Sequence, residues 1–539
     1  MKIKGLLISM LACTALVGCN NEDDIVNNEN QNKSGDNYVA VNLVMPNNVG
    51  SRAGEEFEDG TASETTVNDA VFLFLDGNYN GCADPCYVNG DALKEWSTNV
   101  TDPTMGGQLV SSAVLVIENN KQVPAYIVAV LNPVNGPQHG YTATTSLKNL
   151  EDEVATYTTY TESNFVMTNS VYVDVNSNKK VAATPIKVGH ICSTANEAKE
   201  KPVRIPVERI VAKVSVVDLT EKAEAWENDD PVYGLDENST LKLNVTGWEV
   251  LQNKMSYTIK NVNTAWSFNW WNASDIYRSY WAKDYTEAGR TEYFVDNMGN
   301  LEAKYVEETV NQAANGTDDN RNINPYLLVR GYFSYTDKDG KAQKIELVEW
   351  RGQKYTKDGY LNLIAGNSEI SKYWYKDGDT YKQIDHTMLQ LTDNESNDWQ
   401  AAATLTTDAS DKTYYTVKLN ADGETVAEAT EVTVAEGETH PLEEAIAKFG
   451  SVKYWNNGNT YYYIPIQHQI DGNDTYYGVV RNHSYRITIS DIVGFGTPVS
   501  NPEQAIDEPE DPEDGATYLA AEVVVLKWKV VNQNAILGK

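Results

Sequence analysis

The sequence consists largely of short runs in which apolar and polar residues alternate, each bounded by Gly, Asn, Asp or Pro. Runs such as "DAVFLFLDG" and "TYYYIPIQHQ" are typical of strands joined by tight turns. The 33 Tyr and 12 Trp, against 9 Phe, fit strands whose aromatic faces are partly wet. Helical periodicity is scarce, and the best candidates are residues 146–158 and 440–450. The pattern predicts an all-β protein.

Two strand-rich halves flank the charged segment 218–240, which contains a Pro and a Gly. Each half has enough short strands for one antiparallel β-sandwich. We expect an N-terminal domain at 53–225, a C-terminal domain at 226–500 and an acidic, Pro-rich linker at 501–517. Residues 340–450 are expected to be loop-rich decoration.

The N-terminus reads as an export signal. Two lysines precede a short apolar stretch that ends in "LVGC", so the signal peptide is predicted to occupy 1–19 and to leave a lipidated Cys19. The alternative is an ordinary secretory signal in which Cys19 is incidental. Residues 20–37 are polar and Asn-rich, which is typical of a flexible tether.

The sequence gives little support for enzymatic chemistry. The net charge of -34 argues against nucleic acid and against anionic lipid surfaces. No nucleophile, phosphate-loop or metal-pair motif occurs, so no catalytic residue, metal or cofactor is predicted. Cys82 and Cys86 could close a small disulfide loop, and Cys192 is expected to be a buried apolar residue. Residues 76–81 resemble the start of a calcium loop but are better explained as a turn.

An aromatic cluster at 266–281, "WSFNWWNASDIYRSYW", allows a rival function. Trp faces stack on sugars, so a monomeric, surface-anchored glycan-binding lipoprotein acting through Trp270 and Trp271 is the alternative hypothesis. Core packing explains the same aromatics more simply.

Two strand signals are unusual together. The first, at 38–46, places Val39, Val41, Leu43 and Met45 on one apolar face and precedes an exposed loop that contains Arg52. The second is the terminal strand at 518–539, which follows the acidic linker. Its predicted anchoring side chains are Leu519, Ala521, Val523, Val525, Leu526 and Trp528.

One hypothesis joins these two features. A cut after Arg52 would release the first strand and open a groove that lacks a strand, and the terminal strand of a neighbouring molecule could fill it. Head-to-tail joining of this kind gives a filament. From the residues alone, the alternative that 519–531 completes its own sandwich is equally well supported.

The chain resembles the Bacteroidales fimbrillin (type V pilin) family, in particular the major shaft subunits of short fimbriae. The likeness lies in the lipobox, "VAVNLVMP", "SRAG" at 51–54, "PVERIVAKVSV", "NPYLLVRGYF", "VVRNHSYRITISDIVGFG" and the terminal "YLAAEVVVLKWKVV". Asn42, in the middle of the first strand, departs from the apolar pattern.

The resemblance implies two transthyretin-like β-sandwich domains with long loops and a C-terminal donor strand. It also implies lipoprotein export to the outer membrane and cleavage between Arg52 and Ala53 by an Arg-specific protease, which removes 20–52 as a propeptide. The expected partners are further copies of the chain and accessory anchor and tip subunits, in a cell-surface fimbrium that supports adhesion and biofilm formation. An anchor or tip role in the same fimbrial system remains a further alternative.

Overall fold

The computed structural model is dominated by β-sheet and confirms the predicted all-β class. It describes residues 37–46, 61–89, 107–118, 122–133, 140–151, 154–156, 164–174, 179–187, 189–217, 223–225, 232–235, 239–251, 256–258, 277–278, 302–310, 325–394, 397–469, 475–492, 494–499 and 529–537.

The strands are numbered along the chain. They are β1 (Asn37–Pro46), β2 (Asp69–Leu75), β3 (Cys86–Asn89), β4 (Gly107–Ile117), β5 (Tyr126–Leu131), β6 (Val154–Thr156), β7 (Met167–Asn169), β8 (Val171–Asp174), β9 (Lys179–Val181), β10 (Thr184–Pro185), β11 (Ile191–Cys192), β12 (Val203–Arg209), β13 (Val211–Val217), β14 (Ala223–Ala225), β15 (Val232–Tyr233), β16 (Leu241–Leu251), β17 (Ser256–Thr258), β18 (Tyr277–Arg278), β19 (Lys304–Glu307), β20 (Thr309–Val310), β21 (Tyr326–Thr336), β22 (Ala342–Lys344), β23 (Leu347–Trp350), β24 (Gln353–Thr356), β25 (Tyr373–Asp377), β26 (Thr380–Gln383), β27 (Leu389–Asn394), β28 (Asn397–Leu405), β29 (Tyr414–Leu419), β30 (Val426–Glu431), β31 (Ser451–Trp455), β32 (Asn459–Pro465), β33 (Gln467–Gln469), β34 (Thr475–Val479), β35 (His483–Ile492), β36 (Thr497–Pro498) and β37 (Lys529–Leu537).

The helices are few and short. They are α1 (Ala62–Thr65), α2 (Leu147–Glu151), α3 (Ala195–Glu200), α4 (Lys357–Ala365), α5 (Ser368–Ser371), α6 (Thr407–Ser410) and α7 (Pro441–Ala447), with 3-10 turns at His386–Met388 and Asn456–Gly458. The predicted helix at 440–450 is confirmed by α7. The prediction for 146–158 is only partly right, because the helix ends at Glu151 and β6 pairs with β17 instead.

The N-terminal sheet has the order β11-β1-β12-β7-β5-β2-β3, with β4 on β1 and β10 on β5. Strand β2 is a nearly continuous apolar run, and its last six residues are all buried. Such a run is typical of a strand covered on both faces. The core of this region is therefore built around central strands, and β1 is one of them.

The C-terminal sandwich packs the sheet β19-β13-β35-β37 against the sheet β14-β16-β21-β32-β36. Side chains from both sheets share one core, with Val214 and Ile487 on the first sheet and Trp248 and Val329 on the second. The chain enters this sandwich directly after β12, because only Ile210 separates β12 from β13. The predicted limits of the two domains remain a prediction.

The segment 340–450 is an ordered unit, so the prediction of loop-rich decoration was wrong. It leaves the C-terminal sandwich between β21 and β32, which are antiparallel neighbours. It contains the sheet β26-β25-β29-β30 and most of the sheet β15-β24-β23-β31-β28-β27. Helices α4 and α7 contribute to its own apolar core. Strands such as β30, "VAEATE", are mostly exposed and polar, and they therefore lack the alternation that reveals a strand in sequence.

Candidate functional site: the groove around the first strand

Strand β1 is hydrogen-bonded along both of its edges. On one side it pairs antiparallel with β4 from Asn37 to Pro46, with one irregularity after Leu43. On the other side it pairs antiparallel with β11 and then parallel with β12. Removing β1 would leave two facing rows of unpaired backbone groups, and such a gap has a strong tendency to bind another strand.

One face of β1 is part of the N-terminal core. Val39, Val41 and Leu43 are all 0% exposed and pack with residues of the neighbouring strands. Burial of these three side chains contributes about 5–9 kcal/mol by ordinary transfer values. Met45 continues the strand opposite Gln108, and its side chain lies outside the described residues.

The opposite face of β1 is also covered, but by smaller and more polar groups. Helix α3 packs against the strand, and Ala40 and Ala198 are both fully buried. The helix begins at Thr194, whose hydroxyl accepts a hydrogen bond from the Glu197 amide. Because Ala40 is 0% exposed, a larger side chain at its position would be overpacked.

Asn42 lies on this second face and is buried. Its Oδ1 accepts a hydrogen bond from Ser112 Oγ at 3.0 Å, so the polar residue that interrupts the apolar pattern has a partner on β4. The residue opposite Asn42 on β12 is Arg204. The groove thus has a hydroxyl donor beside this position and an arginine at the facing position of β12.

The chain that follows the predicted cleavage site is fixed at the junction between the two sandwiches. Thr61 caps α1 in a reciprocal capping box with Glu64. The buried Glu64 carboxylate accepts a hydrogen bond from Tyr305 at 2.5 Å and pairs with Lys213 at 2.8 Å. Arg209 Nε donates to the Glu64 backbone carbonyl at 2.7 Å. Residues from both sandwiches therefore hold α1 in place.

The motif "VVRNHSY" at 479–485 completes this junction. The buried Arg481 pairs with Glu308 at 2.6 Å. Asn482 adopts a left-handed conformation with φ 56°. Its side chain accepts a hydrogen bond from Arg209 Nη1, and its amide donates to the Val211 carbonyl. The Tyr485 hydroxyl accepts from the Val480 amide and contacts His468. The motif therefore has a structural role between the domains.

The C-terminal strand β37 lies parallel to β35 at the end of the order β19-β13-β35-β37. The register runs from Lys529 opposite His483 to Leu537 opposite Ile492. The predicted anchors Leu519, Ala521, Val523, Val525, Leu526 and Trp528 precede β37 and lie outside the described residues. Their assignment to a donor strand remains a prediction.

Several other predicted site residues also fall outside the described part of the chain. Cys19, Arg52 and Ala53 are not among the described residues. Of the aromatic cluster 266–281, only β18 is described. The structure therefore brings together the groove around β1 but leaves the lipidation and cleavage sites as predictions.

The two cysteines of "CADPC" are not joined by a disulfide. Cys82 and Cys86 are both buried free thiols, and burial together with nearby Asp76 raises the pKa of Cys82 to about 11. Cys192 is only partly buried, although a buried residue was predicted. Thiols of this kind at Cys82 and Cys86 are expected to be inert rather than reactive.

The calcium-like segment is a turn stabilised by its own aspartate. The Asp76 carboxylate accepts hydrogen bonds from the amides of Asn78 and Asn80 at 2.8 and 2.9 Å and from the Gln122 side chain at 2.7 Å. These bonds, the Asn80 amide first, lower the pKa of Asp76. Among the described residues, no cluster of His, Cys, Asp and Glu is arranged to hold a metal ion.

No helix in the described ranges is long and apolar enough to cross a membrane. The fold defines a class of all-β protein. The central strand β1 of its N-terminal sheet precedes all the other described strands of that sheet in the sequence. The gap that β1 fills has backbone hydrogen-bonding groups on both sides and apolar surface for one strand.

Comparison with known proteins finds one family similar to the C-terminal part of the chain. Residues 453–534 match the family described as "Major fimbrial subunit protein type IV, Fimbrillin, C-terminal". This C-terminal part of the chain is therefore similar to the C-terminal region of fimbrillin subunits. The matched region includes β32 and the interdomain motif at 479–485.

Solved structures of low identity are also similar. A fimbrial assembly protein from Parabacteroides distasonis is 13% identical, with a TM-score of 0.28 over 57% of this chain and 99% of that one. A second P. distasonis protein, described as a candidate cell adhesion protein, is 12% identical, with a TM-score of 0.33 over 93% and 98% of the two chains. TM-scores this low add no argument about fold or function. No functionally curated protein matches the chain significantly.

The junction generates a prediction about pH. Burial alone would raise the pKa of Glu64, but hydrogen bonds from Lys213, Tyr305 and Thr61 outweigh burial and lower it below its ordinary value of 4.5. The stabilisation from Glu64 is therefore fully present above about pH 4.5 and is lost as the pH falls through the lower folded-state pKa. We expect Glu64→Gln to reduce the free energy of unfolding at neutral pH by about 3 kcal/mol and to flatten its decline in acid.

The measurement is urea unfolding of both proteins across this pH range. Glu428→Gln is the matched control, because Glu428 pairs with Lys418 on the exposed surface and its loss should change stability little. Parallel pH profiles for wild type and Glu64→Gln would contradict the assignment.

Proposed function

We propose that the protein is the shaft subunit of a cell-surface fimbrium, exported as a lipoprotein acylated at Cys19 and polymerised by strand exchange. The precursor is anchored in the outer membrane until an Arg-specific protease cuts between Arg52 and Ala53. It has no catalytic residue and needs no cofactor. Its partners are further copies of itself and the anchor and tip subunits of the fimbrium.

The observation that carries this proposal is the position of β1. The strand lies in the middle of the N-terminal sheet, and Arg52 lies in the only stretch of chain that links it to α1. A cut there turns β1 from a covalent part of the domain into a separate peptide.

The contacts of α1 fit the same sequence of events. After a cut at Arg52, the new N-terminus begins shortly before Thr61, and the Glu64 carboxylate still binds Lys213 and Tyr305. These contacts do not involve β1. The junction between the sandwiches is therefore expected to stay intact while the groove opens.

The strand that fills the groove comes from the C-terminal segment of a neighbouring subunit. Leu519, Ala521, Val523 and Val525 supply an apolar face with the same alternation as Val39, Val41, Leu43 and Met45. Such exchange is directional, because each subunit has one groove and one donor, and it propagates head to tail.

Cleavage is tested by Arg52→Ala. The variant should keep Cys19 as its acylated N-terminus and remain a membrane-bound monomer, because β1 stays attached and occupies the groove. Wild type should begin at Ala53 and form heat-resistant high-mass ladders. N-terminal analysis and native size of protein taken from the cell surface measure both outcomes.

The control for this variant is Lys33→Gln, which removes a basic residue from the tether and should leave processing unchanged. Polymers built from a subunit that still carries β1 would contradict the proposal.

Donor function is tested by the double variant Val523→Asp/Val525→Asp. Two carboxylates on the apolar face cannot enter the core of another subunit, so we expect folded, cleaved monomers and a loss of polymer of at least about 100-fold. Electron microscopy and the ladder on gels measure this.

The matched control places the same substitutions on the surface. Val123 and Val434 are 72% and 36% exposed, so Val123→Asp/Val434→Asp should polymerise normally. Normal filaments from the donor-strand variant would show that another segment joins the subunits.

A further inference from the structure

The first strand and the C-terminal segment share a sequence pattern that extends beyond their apolar faces. Residues 37–46 read "NYVAVNLVMP" and residues 517–526 read "TYLAAEVVVL". Aligned without a gap, they have identical residues at Tyr38 and Tyr518, at Ala40 and Ala520, and at Val44 and Val524. The one polar residue in the middle of each run, Asn42 or Glu522, falls at the same place.

We propose that residues 517–526 of a second copy replace β1 residue for residue, with Tyr518 at the position of Tyr38 and Glu522 at the position of Asn42. This inference rests on the proposed function. It adds the register of the incoming strand and a polar contact of Glu522 that favours this register. The geometry of the groove and the charges along it support this register over its neighbours.

Steric fit excludes the registers shifted by two residues, which keep the same faces. The position of Ala40 is 0% exposed, so a much larger side chain there would have to displace its neighbours. A shift in one direction would place Tyr518 there, and a shift in the other would place Glu522 there. Among the registers that keep the same faces, only the proposed one puts an alanine, Ala520, at this buried position.

Shifts by one residue exchange the two faces of a strand. Either of them would point Glu522 into the apolar core at the position of Val41 or Leu43, both of which are 0% exposed. A buried carboxylate without partners is strongly unfavourable. The registers on both sides of the proposed one are therefore disfavoured.

In the proposed register, Glu522 meets complementary groups. Asn42 accepts a hydrogen bond from Ser112 and lies opposite Arg204. A carboxylate at this position would accept from the same hydroxyl and face a guanidinium across the parallel pair. Charge-assisted hydrogen bonds are stronger than those of a neutral amide, so a carboxylate here would bind the Ser112 hydroxyl more strongly than Asn42 does.

The apolar face gives no comparable gain. Ala521 would take the place of Val41, and Val523 the place of the larger Leu43. The donor therefore buries somewhat less apolar volume than β1, and exchange depends on the cut that releases β1. The Glu522 contact acts mainly on specificity, because it fixes which residues face each other.

The register is tested by disulfide trapping against a cysteine already present. Cys192 lies opposite Tyr38 in an antiparallel pair, and directly opposite residues lie within disulfide range. In polymers oxidised with diamide, Tyr518→Cys should link to Cys192 of the neighbouring subunit and give covalent ladders on non-reducing gels. Ladders should disappear when Cys192→Ser is added, and none should form in the uncut Arg52→Ala background.

Two matched variants report the rival registers. Ala516→Cys and Ala520→Cys would meet Cys192 only if the donor were shifted by two residues. Covalent ladders from either of them and not from Tyr518→Cys would overturn the register, as would polymers in which none of the three forms a link. Both results leave strand exchange standing, whereas absence of any wild-type polymer would overturn the proposed function itself.

The polar contact is tested by charge exchange. Glu522→Arg and Arg204→Glu should each reduce polymer yield by at least about tenfold, because each places like charges together in the groove. The double variant should recover most of the yield. Thermal unfolding of the Arg204→Glu precursor, which still contains β1, checks that its domain folds. Failure of the double variant to recover, with both precursors folded, would overturn the Glu522–Arg204 contact.

Discussion

The structure depends on the pairing of β1 along both of its edges. The strand fills a gap between β4 and β12, and its side chains complete the core of the N-terminal sandwich. A strand in this position satisfies backbone groups of two neighbours and buries apolar surface at the same time. The domain therefore needs a strand here at every stage, although not necessarily the same one.

The junction between the sandwiches is built differently. It is held by polar groups with long sequence separation, among them Glu64, Lys213, Arg209 and Asn482. Their geometry fixes how the chain passes from β12 to β13 within one residue. Because these contacts lie outside β1, the groove and the junction can respond separately to a cut at Arg52.

Sequence patterns predicted the elements with strong alternation or continuous apolar runs. They include β1, β2, β21, β32 and β35, and the Pro441 start of α7. Apart from α7, they gave no sign of the compact unit within 340–450, because strands such as β30 are exposed and polar and its core residues come from short helices and separate sheets. The role of Asn42 was also missed, since an isolated polar residue gives no signal until its partner Ser112 is known.

The sequence by itself determined the all-β class, the apolar face of the first strand and the family resemblance, because these depend on local alternation and on motifs read along the chain. Only the tertiary structure decided that β1 pairs on both edges, that Ala40 is fully buried and that Arg204 lies opposite Asn42. Such facts join residues that are far apart in the chain. They arise from strand register and packing. Each of these contacts needs two segments, and neither segment alone identifies its partner.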